Sequence, residues 1–74
     1  MIVTKEMYKN YKEDYEKEAT KIYENMDDAI KDYPFLTGVN GLSSDEIKAG
    51  IMNDTNCDHK LMPDGRVFCS LPIN

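Results

Sequence analysis

The fold is decided by the stretch CDHKLMPDGRVFCSLPI, residues 57–73, which predicts a β-hairpin. Its tetrapeptide MPDG, residues 62–65, has proline at the second turn position and glycine where a three-residue loop needs a left-handed residue. This loop predicts a register in which His59 lies opposite Cys69. A hairpin alone is only marginally stable in water, so we expect it to pack against helices.

Strand alternation divides the predicted hairpin into two faces, of which we expect the more apolar one to be buried. The predicted buried face carries Cys57, His59, Leu61, Val67, Cys69 and Leu71. The other face carries Asp58, Lys60, Met62, Arg66, Phe68 and Ser70, and we expect it to meet water.

Cys57, His59 and Cys69 also raise the question of a metal site, because cysteine and histidine are the ligands that zinc prefers. A structural zinc site usually has four ligands in paired units, and only three residues of these types share the face. We therefore interpret the three residues as core packing, with a zinc site or a Cys57–Cys69 disulfide as the alternatives. The sequence indicates no cofactor.

Residues 4–33 place their apolar side chains at helical spacing and predict one long amphipathic helix. Thr4 is the expected N-cap, and Pro34 is expected to end the helix. At about 1.5 Å per residue the helix would measure about 42 to 45 Å, longer than the roughly 30 Å diameter of a compact chain of this size. It must therefore either break, with 25–28 as the favoured position, or leave one end for another chain to cover.

A linker over residues 34–43 and a short helix over about 44–52 are expected to follow. We expect Phe35, Leu36 and Val39 to hold the linker to the core. The short helix is predicted by LSSDEI, residues 42–47, in which a serine N-cap and a glutamate three residues later form a capping box. The predicted fold class is α+β, in a single small domain over residues 1–74.

Composition limits the classes of function. The 74 residues contain 14 Asp plus Glu and 9 Lys plus Arg, a net charge of −5, which disfavours direct binding to nucleic acid or to an anionic membrane. The chain lacks an apolar run of the roughly 18 residues that span a bilayer, and two cysteines are too few for a disulfide scaffold. We expect a cytoplasmic protein, in the host cytoplasm if a phage encodes it. One histidine, without a nucleophile and an orienting group at suitable spacing, indicates that the protein is not an enzyme.

The remaining candidate for function is a tyrosine stripe on the long helix. We expect the downstream residues not to reach the N-terminal end of this stripe. Tyrosine is enriched at interfaces because it combines a large contact area with a polar tip. The candidate partner-binding residues are Tyr8, Tyr11 and Tyr15 as anchors, with Glu13, Asp14, Glu24 and Asp28 as an acidic flank.

We therefore expect a small acidic binding protein that occupies a surface of another protein, one with a basic groove. In its compactness, acidity and lack of cofactor motifs the chain resembles the small inhibitors that phages make against host or defence proteins, a likeness of style that no motif carries. One alternative is a structural protein that self-associates, for instance as a homodimer, through the N-terminal helix. A second alternative is a zinc-stabilised regulatory module.

Overall fold

A computed structural model describes residues 1–54 and 58–71 and shows a mixed α+β fold. In chain order the described elements are α1 (Lys5–Glu18), β1 (Lys21–Tyr23), α2 (Met26–Thr37), α3 (Ser44–Met52), β2 (His59–Leu61) and β3 (Val67–Cys69). The three strands form one antiparallel sheet in the order β1-β3-β2. None of the described helices is both long enough and apolar enough to cross a membrane.

The hairpin register is confirmed. His59 lies opposite Cys69 and Leu61 opposite Val67. Gly65 has a φ of 94°, the left-handed conformation that the loop requires. The Met62 N–H donates to the carbonyl oxygen of Arg66 at 2.8 Å and closes the loop.

The prediction of a two-stranded sheet is wrong, because β1 adds a third strand. Residues 21–23 pair with β3, on the side of β3 that the hairpin leaves free. Thr20 fixes the start of this pairing, since its hydroxyl donates to the carbonyl oxygen of Cys69 at 3.0 Å. Without β1, the buried strand β3 would have one row of backbone groups without partners.

The prediction of a single long helix over residues 4–33 is also wrong. Thr4 is the N-cap, as predicted, but α1 ends at Glu18 and β1 interrupts the chain before α2 begins. The favoured position of the break is confirmed in that Asn25 is the N-cap of α2 and its side chain accepts the Asp28 N–H at 2.9 Å. The break allows a molecule of 37 × 25 × 22 Å, too short to contain the unbroken helix.

Pro34 lies inside α2. The prediction that Pro34 ends the helix is therefore wrong, and so is the start of the predicted 34–43 linker. The helix continues to Thr37 and ends where Gly38 adopts a φ of 73° and donates its N–H to the carbonyl oxygen of Pro34. Leu36 packs against the core as expected, whereas Phe35 points into water.

Both faces of the sheet are buried, which corrects the expectation that only one face would be. On one face Val67 and Cys69 pack under α2 and α3, in a cluster with Tyr23, Ala29, Ile47 and Ile51. On the opposite face Phe68 packs with Val3 and Met62 beneath α1. The β3 side chains therefore alternate between two cores.

The N-terminal segment covers the outer edge of β2. Val3 donates its N–H to the carbonyl oxygen of Leu61 at 2.9 Å, and Leu61 donates its N–H to that of Met1 at 2.8 Å. The α-ammonium group of Met1 donates to the carbonyl oxygens of Ile51 and His59 at 2.6 and 3.0 Å. These bonds join the first residues to the end of α3 and to β2.

The capping box of α3 is confirmed, and it provides a test of local stability. The Ser43 hydroxyl accepts the Glu46 N–H at 3.2 Å, and the Glu46 carboxylate accepts the Ser43 N–H at 3.1 Å. We expect Ser43→Ala to reduce the free energy of unfolding by about 1 kcal/mol, because the first turn of α3 loses an acceptor. Urea unfolding followed by circular dichroism measures the loss. The neighbouring change Ser44→Ala, in the first turn but not at the cap, serves as the control, and equal losses would contradict the assignment of the cap.

Two phenylalanines provide a matched pair for the core. Phe68 is 0% exposed and Phe35 is 86% exposed. We expect Phe68→Ala to cost about 3 to 5 kcal/mol of unfolding free energy and Phe35→Ala to stay within about 0.5 kcal/mol of the unchanged protein. Phe68→Leu, a milder change, allows measurement if Phe68→Ala does not fold. Similar losses at the two positions would contradict the packing described here.

Candidate functional site

Tyr8 and Tyr15, two of the three predicted anchors, pack on their own chain. Tyr8 meets the Phe68 ring edge-on at a centroid distance of 6.4 Å, and Tyr15 lies against the same core cluster. The Arg66 guanidinium donates to the Tyr8 hydroxyl at 2.8 Å. The downstream chain therefore reaches the N-terminal end of the stripe. The prediction that this end stays uncovered is wrong for Tyr8 and Tyr15.

Tyr11 is the predicted anchor that remains at the surface, with 55% of its area exposed. Its φ of −127° and ψ of 24° are not helical and mark a kink in the middle of α1. Lys12, Glu13 and Asp14 follow Tyr11 along α1 and are exposed. The structure therefore leaves Tyr11 and the two predicted carboxylates accessible on α1, with a lysine between them.

The other two predicted acidic residues lie between β1 and α2 and in the first turn of α2. Glu24 follows β1, and Asp28 lies three residues after the Asn25 N-cap. Within the ranges that the structure describes, Glu13, Asp14, Glu24 and Asp28 take part in no ion pair. Asp32 differs from them, because the Lys21 ammonium and the Tyr23 hydroxyl both donate to it and lower the pKa of its carboxyl.

Sequence reasoning missed exposed apolar side chains at the end of α2 and in the connection to α3. Phe35, Val39 and Leu42 are all exposed, Phe35 most strongly. A signal for Phe35 was present, since at about 100° per residue it lies about 120° around α2 from the buried Ala29. The expectation that Pro34 ends the helix concealed this signal.

The three candidate zinc ligands do not form a complete site in the described part of the chain. His59 and Cys69 are buried cross-strand neighbours, and Cys69 forms no disulfide with a described residue. Burial raises the pKa of the Cys69 thiol. Cys57 lies outside the described residues, so the zinc and disulfide alternatives stay predictions. Among residues 1–54 and 58–71, no group of three or more His, Cys, Asp and Glu side chains could hold a metal ion.

His59 is the more informative member of that set, because it lies at a depression between α2, the end of α3 and β2. Its side chain is 2% exposed, and the Tyr33 ring packs against it at a centroid distance of 5.3 Å. The Asp54 carboxylate accepts the backbone N–H of His59 at 3.0 Å and lies 3.9 Å from the imidazole Nδ1. Among the described residues, the imidazole Nε2 has no hydrogen-bond partner.

Comparison with known proteins finds no matching family model, no matching curated protein and no matching solved structure.

The buried imidazole predicts a specific dependence of stability on pH. Burial lowers the pKa of His59, and the carboxylates of Asp54 and Asp58 oppose this effect, whereas the Met1 α-amino group and Lys60 add to it. The unfolded chain, with an imidazole pKa of about 6.5, therefore takes up a proton first as the pH falls. We expect the free energy of unfolding to decrease from about pH 6.5 down to the folded pKa.

Two measurements check this expectation. His59 is the chain's single histidine, so its imidazole resonances identify it directly in a proton NMR titration. A midpoint at or above about 6.5 would contradict the assignment. Urea unfolding between pH 7.5 and 5 provides the second measurement, with His59→Gln as the control that lacks the titrating group and should lose less stability across this range.

Proposed function

We propose that this chain is a small acidic protein without enzymatic activity that binds a basic surface of another protein, as a phage-type inhibitor of a host or defence protein would. The observation that carries the proposal is the 86% exposure of Phe35 on a helix whose other side packs against the core. An exposed aromatic side chain contributes favourable free energy when a partner removes its surface from water. The proposed contact surface comprises Phe35, Val39 and Leu42. Tyr11 lies on α1, which covers the opposite face of the sheet, and is a separate candidate anchor.

The energetics support an anchoring role for Phe35. Complete burial of a phenylalanine side chain is worth about 1.5 to 3 kcal/mol. Phe35 is presented on a regular helix, so little conformational entropy is lost when a partner covers it. A few such side chains usually dominate the binding energy of an interface.

Charge supports a basic partner. The net charge is −5, and Glu13, Asp14, Glu24 and Asp28 are exposed carboxylates. Carboxylates of this kind attract a basic surface at long range and raise the association rate more than the final affinity. Nucleic acid would be repelled by the same charges, so a protein is the favoured partner.

The structure gives less support to self-association through the N-terminal helix. The proposed seam needed one continuous helix, and β1 divides the stripe between α1 and α2. Tyr8 and Tyr15, which would have lain in that seam, contact their own core.

Affinity capture with the full chain as bait tests the proposal. We expect the unchanged protein to recover a partner from host lysate. The amount recovered should be at least about tenfold lower with Phe35→Ala as bait, which is the loss expected of a central contact. Lys48→Ala, an exposed change on α3, is the control and should recover the same partner. Recovery at equal yield by the double variant Tyr11→Ala, Phe35→Ala would reject both anchors.

The charge component is tested separately. Capture should weaken with increasing salt, and it should weaken further for the double variant Glu13→Gln, Asp14→Asn. Capture that is independent of salt would reject the basic partner. Sedimentation at two protein concentrations tests the alternative, since concentration-dependent dimers would favour self-association.

A further inference from the structure

The depression at His59 is a concave surface whose wall carries both polar and apolar side chains. It has a volume of about 310 Å³ and is bounded by Tyr33 and Leu36 from α2, Asp54 from the end of α3, Asp58 and His59 from β2 and its approach, and Leu71. The wall therefore combines two aliphatic side chains, one aromatic ring and three groups that accept hydrogen bonds.

Three polar groups on this wall have no partner among residues 1–54 and 58–71. The imidazole Nε2 of His59 is buried and makes no hydrogen bond. The Asp58 carboxylate and the Tyr33 hydroxyl make no hydrogen bond and no ion pair. A buried nitrogen without a partner costs free energy, and a ligand that supplies a hydrogen bond would recover part of it.

The chemistry of these groups indicates what the ligand must offer. Because Nδ1 faces the Asp54 carboxylate, we place the imidazole proton on Nδ1, which leaves Nε2 as an acceptor. The carboxylates of Asp54 and Asp58 are also acceptors and carry negative charge. The wall therefore favours a ligand that donates hydrogen bonds and is positively charged.

We propose that the depression binds an alkylammonium or guanidinium group. The charged head would donate to Asp58 and to the imidazole Nε2, and the Tyr33 ring would add a cation–π contact. The aliphatic part of the ligand would pack against Leu36 and Leu71. If the proposed function is correct, the ligand is a lysine or arginine side chain of the protein partner. The proposed function is needed only to identify this source of the cation, whereas the preference for a cation follows from the depression itself.

Other ligand classes fit the wall less well. An anion would meet two carboxylates, and a neutral apolar ligand would leave the buried Nε2 without a partner. A metal ion would need a ligand set that the described residues do not form.

Titration of the isotopically labelled full chain by NMR tests the proposal at pH 7.5. The probes are Nα-acetyl-arginine amide and Nα-acetyl-lysine amide. The control is the neutral Nα-acetyl-norleucine amide, which keeps the four-carbon side chain of lysine without its ammonium group. We expect saturable shifts of the Tyr33, Leu36, Asp58 and His59 amides with the cationic probes and none with the neutral one. Equal shifts with the neutral probe, or shifts spread over the acidic residues of α1, would overturn the proposal.

A charge-matched pair of variants separates the depression from the general acidity of the protein. Asp58→Asn should weaken binding of the cationic probes about tenfold, because it removes a charge-assisted hydrogen bond. Glu18→Gln, at an exposed position on α1, changes the net charge equally and should leave binding unchanged. Equal effects of the two variants would overturn the site.

A further arm distinguishes the source of the cation. Putrescine represents a free small amine. If putrescine binds more tightly than both amino-acid amides, the natural ligand is a small metabolite and not a side chain of a partner. The outcome is also separable from the proposed function. Saturable binding without a captured partner rejects the partner alone, and a captured partner whose yield Asp58→Asn leaves unchanged rejects the depression as its contact.

Discussion

The structure depends on a single constraint, the burial of β3 on both of its faces and along both of its edges. Phe68 enters one core, while Val67 and Cys69 enter the other, and all three side chains are fully buried. A strand in that position needs a partner strand on each edge and a helical layer on each face. With 74 residues, the chain meets these needs only by dividing its N-terminal half into α1, β1 and α2.

That division also decides which side chains are available to a partner. Covering Phe68 uses Tyr8 and Tyr15, so they become structural residues. Covering Val67 and Cys69 uses the face of α2 that carries Ala29, which turns Phe35 outward. The proposed contact surface therefore includes the side of α2 that faces away from the core. The proposal adds exposed carboxylates that form no ion pair with residues 1–54 and 58–71.

The same packing changes the meaning of His59. Its position opposite Cys69 made the two residues candidate ligands, and the sheet instead places them in the interior. Burial lowers the pKa of the imidazole and leaves its Nε2 without a partner among the described residues, beside carboxylates that line a depression. The proposal of a cation site is based on that nitrogen and those carboxylates.

The sequence by itself determined the features that depend on neighbours a few residues apart. These include the Thr4 cap, the favoured break near Asn25, the capping box of α3 and the loop at Gly65, since each is a hydrogen bond or a backbone conformation set within about five residues. Only the tertiary structure decided that residues 21–23 form a strand, that α2 continues through Pro34, and which of the predicted tyrosines stay exposed. Those outcomes depend on groups far apart in the chain, because the unpaired edge and the two faces of β3 exist only after the hairpin has formed.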